Sequence, residues 1–195
     1  MWKSYYERHP VRIYFELAEM LRTQFHFPFL RSYVGAYYAG RAAFVFKDHQ
    51  TDEDLERAKE LLVSYFSLIR KTGNIDFDIH YAAELELRWW IVHRQRDKYS
   101  EVELGKACAD ATAAVYQISP ASAMEHGMKR AQAMTIRDTK SKEGGVQDED
   151  WKRIEDLLLS CYRSLLFAVD QNPQPGYRDI APARYPMLVI SFYIL

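Results

Sequence analysis

Asp76–Arg96 reads DFDIHYAAELELRWWIVHRQR. Placed at about 100° per residue, its apolar side chains fall on every side of a helix rather than along one stripe, which predicts a helix buried at the centre of a bundle. Asp76 or Asp78 supplies its N-cap, and the pattern runs to about Gln95. Polar rows interrupt the apolar surface: His80, Glu84 and Arg88 follow one another at i, i+4 spacing, and Glu86 precedes His93 by two turns beside Trp89. Buried groups of this kind need partners.

Helix punctuation on either side gives about seven helices in all. An aromatic turn at Trp2–Glu7 precedes the first, which runs from Pro10 to Gln24, and Pro28 opens the second, which lasts to about Lys47. Thr51 caps the third. Its first turn, Asp52-Glu53-Asp54, and its last basic pair, Arg70-Lys71, complement the two ends of the macrodipole, and Gly73 stops it. The Asp76–Arg96 run is the fourth. Ser100 and Glu103 form a capping box for a fifth ending near Gln117, Ser119-Pro120 starts a sixth that fades before Gly144-Gly145, and the seventh spans Asp148 to Asp170.

Strand-like alternation is nearly absent. The expected fold is therefore all-α, a single-domain bundle over residues 1–172 with the fourth helix central and largely buried. Beyond Asn172, Pro173, Pro175, Pro182 and Pro186 force an extended path, so 173–195 is read as a Pro-rich tail ending in the apolar Met187–Leu195.

Composition narrows the function classes. A chain of 195 residues buries roughly 70% of its unfolded surface, and 48% hydrophobic residues with 14% aromatics demand a packed core. The 26 basic and 27 acidic residues leave a charge of -1, which provides no global field for nucleic acid. Cys108 and Cys161 stand alone inside helical patterns, which fits reduced thiols in a cytoplasmic protein. The N-terminus carries no apolar signal region, and Arg31 and Arg41 interrupt the longest apolar stretch, so no secretory leader or membrane span is expected.

The candidate chemistry lies on the fourth helix. One reading makes His80, Glu84, Glu86 and His93 catalytic acid–base residues or ligands, with Arg88 as an anion anchor. The other makes Glu84 and Arg88, with His80 beyond them, an intrahelical ladder, and it accounts for the spacing more simply. Di-metal bundles need Glu-x-x-His motifs, and none occurs; no metal and no cofactor is expected. P-loop, GxGxxG and GxSxG motifs are also missing. Glu16 and Glu19 fall on the polar side of the first helix, and Glu125-His126 cannot clamp a metal from adjacent positions.

Other faces invite partners. On the second helix Ser32, Gly35, Ala36, Ala39, Gly40 and Ala43 gather on one side, with Tyr33, Tyr37 and Phe44 on another. That pattern fits close packing on a neighbour such as the fourth helix, or a tyrosine-lined ligand groove using Tyr33 and Tyr37. The sixth helix sets Met124, Met128 and Met134 beside Ala131 as a core stripe, apart from a basic row of His126, Arg130 and Arg137 too short to predict nucleic-acid binding. Leu159, Leu166 and Phe167 lie off the main stripe of the seventh helix and offer a subunit contact. The expected role is non-enzymatic: a helical interaction or assembly protein with a protein partner or a homo-oligomeric state. The alternative is an enzyme or ligand binder built around the fourth helix.

Overall fold

The computed structural model of the chain describes residues 9–73 and 75–172. The aromatic turn expected at Trp2–Glu7 and the tail at 173–195 lie outside them. Among the described residues the chain is all-α, with no strand and seven helices: α1 (Pro10–Phe25), α2 (Phe29–Asp48), α3 (Asp52–Gly73), α4 (Ile79–Arg94), α5 (Glu101–Tyr116), α6 (Met124–Lys142) and α7 (Asp148–Gln171).

Local chemistry sets the ends. Asp54 N–H donates to Thr51 Oγ1 at 3.2 Å while Thr51 N–H donates to Asp54 Oδ2 at 3.2 Å, a reciprocal cap ahead of α3. Asp78, not Asp76, caps α4 by accepting from Tyr81 N–H. Ser100 and Glu103 close the expected capping box. At α6 the expectation is corrected: the helix begins at Met124 rather than at Pro120. Ser119 Oγ accepts from Ser122 N–H, and Ser119 O accepts from Ser122 and Ala123, so the side chain stabilises a turn before the helix. Gly144 and Gly145, both at φ 118°, end α6 in a conformation that other residues rarely adopt.

The helices divide into two compact units, with the division inside α4 between Leu87 and Arg88. In the first unit α1 packs on α2, α2 on α3, and α1 touches α3. The small face of α2 is used here: Ser32, Gly35, Ala36, Ala39 and Ala43 are buried, and a Cβ at Gly35 would stand 2.7 Å from Leu21 Cδ1. Its main described neighbours are thus α1 and α3. Leu17, Leu21, Phe25, Phe46, Leu62 and Ile69 are almost fully enclosed in this core, each contributing about 1.5–3 kcal/mol by burial.

In the second unit α6 lies between α5 and α7 and packs on both. Gly127 on α6 meets α5 at backbone distance, because a Cβ there would overlap Gly105 O and lie 2.8 Å from Ala109 N. Helix α4 is largely buried, as expected. Ala82, Ala83, Leu85, Glu86, Leu87, Trp89, Trp90 and Val92 are enclosed, and the exposed His80, Tyr81, Glu84 and Arg88 share one sector of about 100°.

Candidate functional site

The polar residues of α4 have separate fates. The side chains of His80, Glu84 and Arg88 occupy the exposed sector, and among the described residues none of these side chains takes a hydrogen bond or an ion pair. The expected ladder is therefore not formed. The row belongs to solvent, where its charges need no compensation, and a helical wheel alone does not say which sector the rest of the chain leaves open. His80 borders an open cleft of about 550 Å³ with Arg70, Asp76, Phe77, Asp78 and Ile79. The ionic groups there already serve the fold: Arg70 pairs with Asp76, and Asp78 caps α4.

Glu86 is buried. His93, half-buried, donates from Nε2 to Asp138 Oδ2 of α6 at 3.0 Å, and Arg137 Nη1 donates to Asp138 Oδ1 at 2.6 Å. Burial alone pushes the Asp138 carboxyl up, but the hydrogen bonds and charges of His93 and then Arg137 together hold it below its ordinary value. An ionised carboxylate held between two donors is a stable cross-link between α4 and α6. Arg96, donating to Thr135 Oγ1 at 3.0 Å, extends it by one more bond.

The basic row of α6 is corrected as well. His126 and Arg130 are buried, and Arg137 is tied to Asp138. Arg130 places its guanidinium carbon 4.3 Å above the Trp89 ring, an arrangement in which the aromatic face stabilises a desolvated cation. His126 Nδ1–H donates to Cys161 O at 3.1 Å, and the Cys161 thiol donates to His126 O at 3.2 Å. Burial pushes that thiol up, so it stays protonated. Among the described residues no group of three or more His, Cys, Asp or Glu converges as metal ligands would.

The most unusual surface is on α1 and α2. Of the ten large apolar side chains exposed among the described residues, seven belong to this helix pair: Val11, Phe15, Phe29, Leu30, Val34, Tyr37 and Phe44, exposed from 43% at Phe44 to 77% at Leu30. Tyr33, half-buried, joins them. Its ring lies 5.7 Å from that of Tyr14, 6.0 Å from Phe15 and 5.0 Å from Phe29, and Tyr14 donates its hydroxyl proton to Tyr33 O. Beside this cluster, Ile13, Tyr14, Leu17, Ala36, Tyr37, Gly40, Arg41 and Phe44 line an apolar cleft of about 160 Å³, room for one or two large side chains and too small for a typical cofactor pocket of roughly 300–1,000 Å³.

No family model matches the chain, and no similar curated protein or solved structure is found. The residues themselves therefore carry the functional argument.

Tyr37 is the only member of the exposed face that sequence reasoning named as a ligand-side residue, with Tyr33 beside it. Phe44 was placed on the same side as these two, whereas Val11, Phe15, Phe29, Leu30 and Val34 were missed. A signal for part of the face was present: Leu30, Val34, Tyr37, Arg41 and Phe44 succeed one another by four, three, four and three residues, the spacing of a helix–helix seam. Phe167 of the expected α7 contact is exposed, whereas Leu159 and Leu166 are half-buried.

Proposed function

We propose that the chain is a non-enzymatic helical interaction module, and that its working surface is the α1–α2 face. One observation carries this reading: seven large apolar side chains are exposed together on one helix pair. Taking about 150–250 Å² for a whole aromatic residue, their exposed parts present on the order of 800 Å². The largest apolar patch of an ordinary monomer is about 300–600 Å², while one side of a standard protein–protein interface is about 800 Å². Leaving such a face in water is costly, and covering it with another protein surface recovers the hydrophobic term.

The polar residues of α4 support a catalytic role less well. The exposed row has neither enclosure nor a described partner, and His93 is engaged in a cross-link. No helix among the described residues is long and apolar enough to cross a membrane.

The test is a paired substitution, Leu30→Glu with Val34→Glu. Both side chains are exposed, so helix content, and the melting temperature at dilutions where the chain is unassociated, should stay near those of the parent chain. Capture of a protein partner, a second copy included, should fall by at least about tenfold. Capture that survives the double substitution would place docking elsewhere and remove the proposal.

A further inference from the structure

We infer that the α2 seam is a self-association surface on which a second copy of this chain docks antiparallel, with Val34 against the partner's Phe44 and Tyr37 against the partner's Arg41. The inference rests on the docking role of the α1–α2 face and names the occupant.

The sequence of α2 carries two apolar faces. Ser32, Gly35, Ala36, Ala39, Ala43 and Phe46 are buried within the chain. The opposite face, Leu30, Val34, Tyr37, Arg41 and Phe44, is exposed along its whole length. The second set repeats every 3.5 residues on average, which keeps a stripe facing an adjacent helix when the two wind gently around each other. The stripe from Leu30 to Phe44 is about 21 Å long, enough for four successive layers of contact.

Register follows from the one charge in the stripe. A parallel, in-register pair would bring Arg41 against the same residue of the partner, two like charges at an apolar contact. An antiparallel pair centred at the level of Ala39 removes that conflict. Each guanidinium then faces the ring of the other copy's Tyr37, a favourable cation–π arrangement, and Val34 fills the layer with the partner's Phe44. The twofold repeats both layers, so one stripe supplies all four, as an isologous interface requires. The whole α1–α2 face, roughly 800 Å² per copy, is what a standard-sized dimer buries on each side; Leu30, Val34, Tyr37 and Phe44 of the stripe supply about half of it, and Val11, Phe15 and Phe29 belong to the same exposed face.

Sedimentation of the full chain between about 1 and 100 µM tests the state directly, a range that brackets micromolar affinity. The expected result is a monomer–dimer equilibrium whose dissociation constant rises at least tenfold in Phe44→Glu, with helix content unchanged and, at concentrations well below the dissociation constant, an unchanged melting temperature. Crosslinking tests the register. Mixed Val34→Cys and Phe44→Cys chains should be joined by a short bis-maleimide. Neither variant alone should link, because like positions are offset by about 15 Å along the helices. The native thiols, Cys108 and Cys161, are buried and give little background.

Self-linking of Val34→Cys alone, or a dimer indifferent to Phe44→Glu, overturns the proposed pairing. A chain that stays monomeric overturns the second copy as occupant, and the reactivity of a Tyr37→Cys thiol then separates the remaining cases. Protection from maleimide in the monomer means that the chain covers the face itself, for which Met187–Leu195 is the apolar segment available. Rapid labelling, with partner capture lost in Leu30→Glu/Val34→Glu, leaves the docking role standing with a different protein as partner. Rapid labelling with no effect of those substitutions removes the docking role as well.

Discussion

At His126 burial outweighs every other influence. The ring is enclosed between α6 and α7. Burial first and the Arg130 guanidinium second lower its pKa to about 3, with the hydrogen bond to Cys161 O opposing them only in part. In the unfolded chain the same ring titrates near 6.5. Between those values the unfolded state holds more protons than the folded one, so stability is complete above about pH 6.5 and is lost progressively as pH falls toward 3. The slope approaches about 1.4 kcal/mol per pH unit for one proton. Asp138, whose pKa is also lowered, adds its own loss only below the ordinary carboxylate range, so it does not mask the window from 6.5 to 5. His126→Gln, neutral throughout, should lower stability at pH 7 by about 1–3 kcal/mol through imperfect packing and hydrogen bonding. It should also flatten the dependence. Urea midpoints at pH 7, 6 and 5 measure both effects, and equal pH slopes in the two proteins would contradict a neutral buried ring.

Helices α5 and α6 cross at backbone distance at Gly127. Gly127→Ala would drive a methyl group into Gly105 O and the Ala109 backbone, neither of which can rotate away, so the helices must separate. A loss of about 2 kcal/mol is expected after allowing for the better helix propensity of alanine. Gly40→Ala is the control. Nothing lies within 4 Å of the added Cβ, and this variant should be neutral or more stable by up to about 1 kcal/mol; denaturant unfolding of the two compares them. The same elements show what a single sequence conveys. Thr51, Ser100 and Gly144-Gly145 act within a few residues of their own positions, so their caps and stops are legible from local chemistry. The crossing at Gly127 is not, because no pattern within one helix reports which neighbour approaches to backbone distance. His126 and Arg130 read as a basic row for a similar reason: their cover comes from Cys161 and Tyr162 on α7 and from Trp89 on α4, all distant in sequence. The seam of α2 was visible as a spacing, but its two apolar faces look alike until one is consumed by α1 and α3.

At the scale of the whole molecule, the near balance of charge separates the proposed assembly from electrostatic alternatives. The chain carries 26 basic and 27 acidic residues, and in the described α1 and α2 two of the arginines are committed to Glu16 and Glu19. What remains on the seam is apolar apart from Arg41. Raising the salt from 0.1 to 1 M shortens the Debye length from about 10 to about 3 Å, which removes most attraction between exposed charges. A face that associates by excluding water should be nearly indifferent, because the apolar term does not depend on screening and a cation–π contact contributes only a small part. The dissociation constant of the assembly should therefore change by less than about threefold across that range, with a negative heat-capacity change on association. Isothermal dilution calorimetry at several temperatures and two salt concentrations reads both. A tenfold weakening by salt together with a heat-capacity change near zero would assign the attraction to charges outside the seam, and the exposed stripe of α2 would lose its role in holding the copies together.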